Sequence, residues 1–325
     1  MSVALPRTEA VSATGGRLLG AVLIAVALVA PFVFYPVFLM KALCFALFAC
    51  AFNLLMGYVG LASFGHAAFF GWAAYTTAFT VKYWGLSTIG GILAGTAVAA
   101  VMGAGFGWLA IRRHGIYFAM VTLALAQMVY FVALEAKFTG GEDGIQAVPR
   151  GTLFGIIDLN NPFAMYYFVL AVFLVGFAIL LRAINSPFGQ VLKAIRENEP
   201  RAISLGYRTE YYKLLAFILS AALSGLAGAT KSLVFQLASL TDVYWATSGD
   251  ALLMTLVGGI GTVLGPVVGA FVNVSMENYL AQFGSWVTVI QGVIFVTCVL
   301  VFRRGIVGEI AHRWPRWRAR FAGGR

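Results

Sequence analysis

The residues that could do chemistry in this chain are few, and their spacing does not suit catalysis. Gly225-Leu-Ala-Gly-Ala-Thr-Lys231-Ser232 approaches a phosphate-binding loop, but Thr230 stands where that loop needs glycine before its lysine. The stretch also lies inside an apolar run, whereas such a loop follows a strand. His66, His114 and His312 are scattered and form no zinc spacing. Cys44, Cys50 and Cys298 sit in apolar segments and read as small core residues, not as a metal or redox set. The expectation is a chain with no catalytic residue, no metal and no cofactor of its own. If ATP drives it, another chain binds the ATP and its magnesium.

What the spacing does offer is a lever. Between Arg182 and Lys213 lie six of the 22 basic residues and three of the 12 acidic ones, in a protein only 10% charged. Ser186 stands at a helix N-cap position, and Pro187 suits the first helical position, where a missing N–H is not needed. Phe188, Val191, Leu192 and Ile195 then fall on one helical face, with Lys193, Arg196 and Glu197 pointing elsewhere. Such a helix, set between apolar runs, suits docking of a soluble partner on the face of the four apolar residues. The competing reading lays that face in lipid headgroups, with Lys193 and Arg196 toward phosphates.

The elements that must position this helix are membrane spans. The chain is 61% hydrophobic with 37 glycines, and much of it runs in stretches long enough to cross a hydrocarbon core of about 30 Å. Continuous hydrophobicity excludes an alternating barrel, so the fold class is all-α, a polytopic helical bundle. Ten spans are expected: Leu18–Leu39, Ala42–Met56, His66–Lys82, Thr88–Ile111, Gly115–Glu135, Phe163–Leu181, Tyr211–Phe235, Trp245–Val257, Val263–Leu280 and Ser285–Phe302. The first is too long for a removable signal peptide and reads as a retained span. The second and eighth are short and flanked by glycine, as half-helices or re-entrant segments would be. Residues 1–17 and 303–325 are then tails, and 182–210 is an extramembrane coupling segment within the permeating domain 18–302.

An even span count places both termini on one side. That side collects 17 basic residues: Arg7, Arg17, Arg112, Arg113, the six of Arg182–Lys213, and seven in the C-terminal tail. Lys41, Lys82, Lys137, Arg150 and Lys231 lie elsewhere, and the excess marks the rich side as cytoplasmic. Trp314 and Trp317 among the tail arginines suit an anchor at an anionic lipid leaflet better than a nucleic-acid site.

Two glycine clusters interrupt the hydrophobic segments: Gly57, Gly60, Ser63, Gly65 and His66 in one, and Gly258, Gly259, Gly261, Thr262, Gly265 and Pro266 in the other. Broken helices at membrane depth are buried in protein or line a water-filled cavity. These residues are therefore candidates for a translocation path, against the alternative of plain interhelical turns. Asn53, Thr122 and Gln127 join them as the rare polar groups inside spans. Gly91/Gly95 and Gly103/Gly107 read as helix-packing pairs. Ionisable residues such as Glu135, Asp250 and Glu277 sit mostly at span ends, which argues against a proton or sodium relay.

Asn53-Leu-Leu-Met-Gly57-Tyr-Val-Gly60-Leu-Ala-Ser63-Phe-Gly65-His66, continuing to Tyr75, resembles the early signature of LivM-type permeases, the membrane subunits of branched-chain amino-acid ABC importers. So do Gly115–Gln127 with Thr139–Gly144 after it, Ser186–Gly206, Tyr212–Gly228 and Gly258–Ala270. The resemblance covers most of Lys41–Arg304. It implies a bacterial inner-membrane permease paired with a LivH-type second permease, two cytoplasmic ABC ATPases and a periplasmic substrate-binding protein. It also implies that Ser186–Gly206 is the coupling helix of the Glu-Ala-Ala-x-x-x-Gly loop. Gly206 fits that pattern, but Pro200, Arg201 and Ala202 occupy its Glu-Ala-Ala positions. The expected function is ATP-driven import of branched-chain or related amino acids. The alternatives are the same architecture carrying urea or short amides, an ion-coupled secondary transporter, or an intramembrane enzyme.

Overall fold

The computed structural model describes residue 22 and residues 24–153, 157–302 and 305–309. Residues 24–29 are helical and pass into a 3-10 turn, Ala30–Phe32, after which the chain bends before Pro36. Helix α1 (Pro36–Asn53) begins there and runs on through a π-helical turn, Leu54–Val59. The expected first span, Leu18–Leu39, is therefore cut short. Pro36 has no N–H to continue a helix and its ring clashes with the preceding turn, but at a first helical position neither defect matters. The second span is correspondingly not short: Pro36–Val59 is 24 residues long.

The later expected spans each fall on one helix. These are α2 (His66–Tyr83), α3 (Thr88–Ala110), α4 (Ile116–Glu135) and α5 (Pro162–Ile184), then α6 (Pro187–Glu197) and α7 (Glu199–Ser204) of the charged segment. Helices α8 (Thr209–Phe235), α9 (Trp245–Gly258), α10 (Gly265–Leu280) and α11 (Val287–Val301) follow. Five helices among the described residues are long and apolar enough to cross a membrane: Pro36–Val59, α3, α4, α5 and α8. Their outward faces carry Val101, Met128, Phe131 and Val175, large apolar side chains left open to lipid or a partner. The chain is a multi-pass helical membrane protein.

The core is built on α8, which packs against α1, α2, α3 and α5. Small residues permit the approach. A Cβ at Gly228 would overlap the carbonyl of Phe70, so only glycine lets α8 and α2 lie backbone to backbone. Helices α9 and α10 form a tight antiparallel hairpin that packs on α1.

The bundle has two distinct ends. At one, His114 Nδ1 of the α3–α4 turn lies 3.7 Å from Glu199 of α7, which also pairs with Lys213 of α8. The Arg112-Arg113 turn and the Arg182–Lys213 segment thus share an end, as charge sorting requires. At the other end, β1 (Ile145–Gln146) pairs antiparallel with a strand at Leu237–Ala238. Lys82 Nζ donates to the Gln146 carbonyl at 2.7 Å, and Arg150 donates to the carbonyls of Leu233 and Val234 at the end of α8. Residues 1–17, and the C-terminal tail apart from 305–309, lie outside the described residues.

Candidate functional site

Helix α6 forms where the sequence places it, with Pro187 in its first turn and Ser186 in extended conformation at the N-cap. The Ser186 hydroxyl does not cap α6; it donates back to the Ala183 carbonyl of α5 at 2.7 Å. Asn198, also extended, ends α6 and caps α7 by accepting from the Arg201 amide at 3.1 Å. The fold-back at Asn198 changes the meaning of the apolar face. Leu192 is 0% exposed, Ile195 3% and Val191 8%. Val191 and Ile195 pack with Ala202 of α7 and with Tyr212 of α8, whose ring also stacks on Phe188. Of the four residues expected to face a soluble partner, Val191, Leu192 and Ile195 are covered by the chain itself, and Phe188 is half-buried. Side chains of this kind contribute roughly 1.5–3 kcal/mol each when buried, so the face holds α6 to its own bundle. Exposed instead are Gln190, Glu197, Ile203, Leu205 and Gly206. Gly206, at φ +88°, supplies the left-handed turn that ends α7.

Helix α6 lies against the broken end of α1. Arg196 donates from its guanidinium to the carbonyl of Gly57, and Lys193 Nζ sits 5.8 Å from the centre of the Tyr58 ring. The stem of Arg196 also fills the space beside Gly60, which takes φ +85° to turn the chain out of the π-helical segment.

The second glycine cluster meets the first here. Asn53, 1% exposed, accepts from the Gly261 amide at 2.9 Å and donates to the Thr262 carbonyl at 2.9 Å. Both bonds cross more than two hundred residues of sequence, and they satisfy an amide that would otherwise be buried without partners. A Cβ on Gly57 would lie 2.7 Å from the Gly261 nitrogen, so the two turns touch through backbone. The turn at Gly258, Gly259 and Gly261 is held by Thr262, whose hydroxyl donates to the Gly259 carbonyl at 2.7 Å and accepts from the Gly265 amide at 3.1 Å. Gly305, beyond α11, packs against Gly259 as well. The clusters thus form one interlocked knot at the end of the bundle beside α6.

Ser63, Gly65 and Thr122 make a neighbouring group. The Phe64 amide donates to the Thr122 hydroxyl at 3.2 Å, and the Gly65 amide to the Ser63 hydroxyl at 3.2 Å. His66 is wholly buried among Phe52, Phe69 and Phe217. Its Nε2 lies 2.8 Å from the Ser220 hydroxyl, and since that hydroxyl donates to the Ala51 carbonyl, the ring nitrogen is the donor. His66 ties α1, α2 and α8 together inside the bundle. Gln127 is half-exposed on α4 and joins neither group. Sequence reasoning missed the link from Arg196 to Gly57 and the ion pair of Lys41 with Glu277; nothing local to either residue signals its partner.

The fold and this arrangement define a multi-pass helical membrane protein in which the short charged helix α6 packs on the broken end of α1 and reaches the second glycine turn. Residues 36–299 match the family model described as branched-chain amino acid transport system / permease component, and the chain belongs to that family. The high-affinity branched-chain amino acid transport system permease protein LivM of Escherichia coli is 27% identical over 278 residues, covering 78% of this chain and 65% of that protein. LivM of Salmonella typhimurium matches to the same extent. A probable LivH permease of Methanocaldococcus jannaschii is 29% identical over 155 residues, 43% of this chain and 46% of that one. The chain spans 65%, less than two thirds, of the length of the LivM proteins it matches. The family is a permease component and does not favour the urea, ion-coupled or enzymatic alternatives.

Proposed function

We propose that this chain is the membrane permease subunit of an ATP-driven ABC importer and forms half of the translocation path for branched-chain or related amino acids. In this reading it sits in a bacterial inner membrane with both termini cytoplasmic. It pairs with a LivH-type second permease, with two cytoplasmic ATPases that hold the ATP and magnesium, and with a periplasmic binding protein that delivers the solute.

The observation that carries the reading is the grip of α6 on the glycine knot. A helix outside the membrane, bonded through Arg196 to a backbone carbonyl at the end of α1, passes a displacement directly to two span ends. Both turn on glycines that permit conformations other residues resist. The ATPase engages the outward side of α6 and α7, where Gln190, Glu197, Ile203 and Leu205 are exposed; the inward side holds α6 in place. Asn53, Gly57, Gly60 and Gly261 then form the cytoplasmic gate of the path.

The test is purification of the chain with its partners, followed by leucine uptake into proteoliposomes. The account expects uptake that requires ATP on the ATPase side and binding protein on the other. A chain that transports alone, or uptake driven by an ion gradient without ATP, would contradict it.

A further inference from the structure

The end of the bundle that carries α6 also holds a cleft of about 260 Å³ between the last turn of α3 and the first turns of α8. Its floor is apolar: Gly107 and Ile111 are buried, and Leu214 is half-buried. Its rim carries Trp108, Arg112, Glu210 and Tyr211, all exposed. The Arg112 guanidinium lies 5.0 Å from the centre of the Trp108 ring. Among the described residues, neither the Arg112 nor the Glu210 side chain has an ion pair or a hydrogen bond, although both line the same cleft. Away from the rim, Val101 and Gly105 continue the helical face of Trp108 and Arg112, and Leu215 continues that of Tyr211. These residues are exposed too, and a Cβ on Gly105 would meet nothing within 4 Å.

A charged rim over an apolar floor and flank has the profile of a membrane lipid, with the headgroup at the rim and the acyl chains along the flank. Tryptophan and arginine at the end of a span sit at headgroup depth. The rim holds one cation and one anion, which sorts the headgroups. A purely anionic headgroup satisfies Arg112 but is repelled by Glu210. A trimethylammonium headgroup carries both charges, yet has no N–H to donate to the carboxylate. A phosphate ester bearing a primary ammonium satisfies both residues. Its phosphate oxygens accept from Arg112 and from the Tyr211 hydroxyl, and its ammonium donates to Glu210.

We propose that this cleft is a binding site for one phosphatidylethanolamine-type lipid in the leaflet on the α6 side. Tyr212, next to Tyr211, is the residue of α8 on which Phe188, Val191 and Ile195 of α6 pack, so the lipid braces the start of α8 beneath the charged helix. The proposal needs only the membrane-spanning fold and does not rest on the importer reading.

The test is native mass spectrometry of the full-length chain, purified in detergent with the subunits that accompany it. The sample is equilibrated with equal amounts of dioleoyl phosphatidylethanolamine, phosphatidylglycerol and phosphatidylcholine. Wild type is expected to retain one phosphatidylethanolamine about fivefold over either competitor, the scale of one exposed ion pair. Glu210→Gln is expected to abolish the preference over phosphatidylcholine, and Glu210→Lys to turn it toward phosphatidylglycerol. Arg112→Gln is expected to weaken retention of all three lipids. Both positions are exposed, so melting in detergent is expected to stay within about 1 °C of wild type. Equal retention of the three lipids by wild type, or a preference that survives both Glu210→Gln and Glu210→Lys, would overturn the proposal. A second measurement places a cysteine by Gly105→Cys in a background lacking the native cysteines, and is expected to show labelling by a membrane-soluble maleimide in native membranes. Crosslinking of position 105 to another subunit would instead make this face a subunit interface and also overturn the lipid site.

Discussion

The guanidinium of Arg196 donates to the main-chain carbonyl of Gly57, so the short charged helix α6 holds the end of α1 by its backbone. A bond to a side chain could be lost by rotation about one torsion; a bond to a carbonyl moves with the helix that carries it. Charge-assisted hydrogen bonds are also about twice as strong as neutral ones.

The burial of α6's apolar face separates two sets of substitutions. Leu192→Asp puts a charge where the side chain is fully buried, and is expected to lower the yield and thermal stability of the permease by at least 3 kcal/mol, as an unpaired buried charge does. Leu205→Asp, on an exposed position, is expected to leave melting within about 1 °C while releasing the ATPases in a pull-down. Melting of the purified permease beside the pull-down distinguishes the two. A stable Leu192→Asp permease that has lost only its ATPases would restore that face to docking.

Lys213 is 2% exposed and paired with Glu199. Removing one partner of such a pair strands the other charge, at about 3–5 kcal/mol when burial is complete, and less here because Glu199 is a quarter exposed. Glu199→Gln is therefore expected to destabilise by roughly 2 kcal/mol. Adding Lys213→Met is expected to recover most of that loss in the same melting assay. No recovery would show that the two charges are not coupled.

Gly261 takes φ +74°, and a Cβ there would lie 3.1 Å from Arg196 Nη1 and 3.2 Å from the Gly57 carbonyl. Gly261→Ala is expected to destabilise by about 1–2 kcal/mol from backbone strain and crowding together. Gly105 in α3 has open space around it, so Gly105→Ala is expected to be neutral or stabilising by about 0.5–1 kcal/mol. Thermal melting of the two variants side by side checks the contrast.

Sidedness follows from the shared end of the Arg112-Arg113 turn and α6. Single cysteines at Gln190 and Glu142 are expected to differ toward an impermeant thiol reagent in spheroplasts, with position 142 labelled and position 190 protected. The reverse pattern would invert the topology.

The helices were legible because apolar runs bounded by Gly, Pro and charge leave little choice of structure in a membrane. One boundary error mattered. Reading the first span through to Leu39 made Lys41 a loop residue, whereas Pro36 starts α1 and carries Lys41 inside it. That shift separates a loop lysine from one that pairs with Glu277 between two packed helices. The α6 periodicity was equally plain, but periodicity reports that a face is buried and not what buries it. Here Ala202 and Tyr212 do so, after a turn at Asn198 that the apolar pattern does not announce. The two glycine clusters were visible as breaks; their union was not, since Asn53 and Gly261 stand 208 residues apart.

The coupling role of Arg196 is tested most directly by the number of solute molecules imported per ATP hydrolysed, in proteoliposomes holding the complete complex with wild type or Arg196→Ala. The account predicts that Arg196→Ala keeps its ATPases and hydrolyses ATP at a rate within about threefold of wild type, while its import per ATP falls at least tenfold. An unchanged ratio of import to hydrolysis would contradict transmission through the Arg196–Gly57 bond.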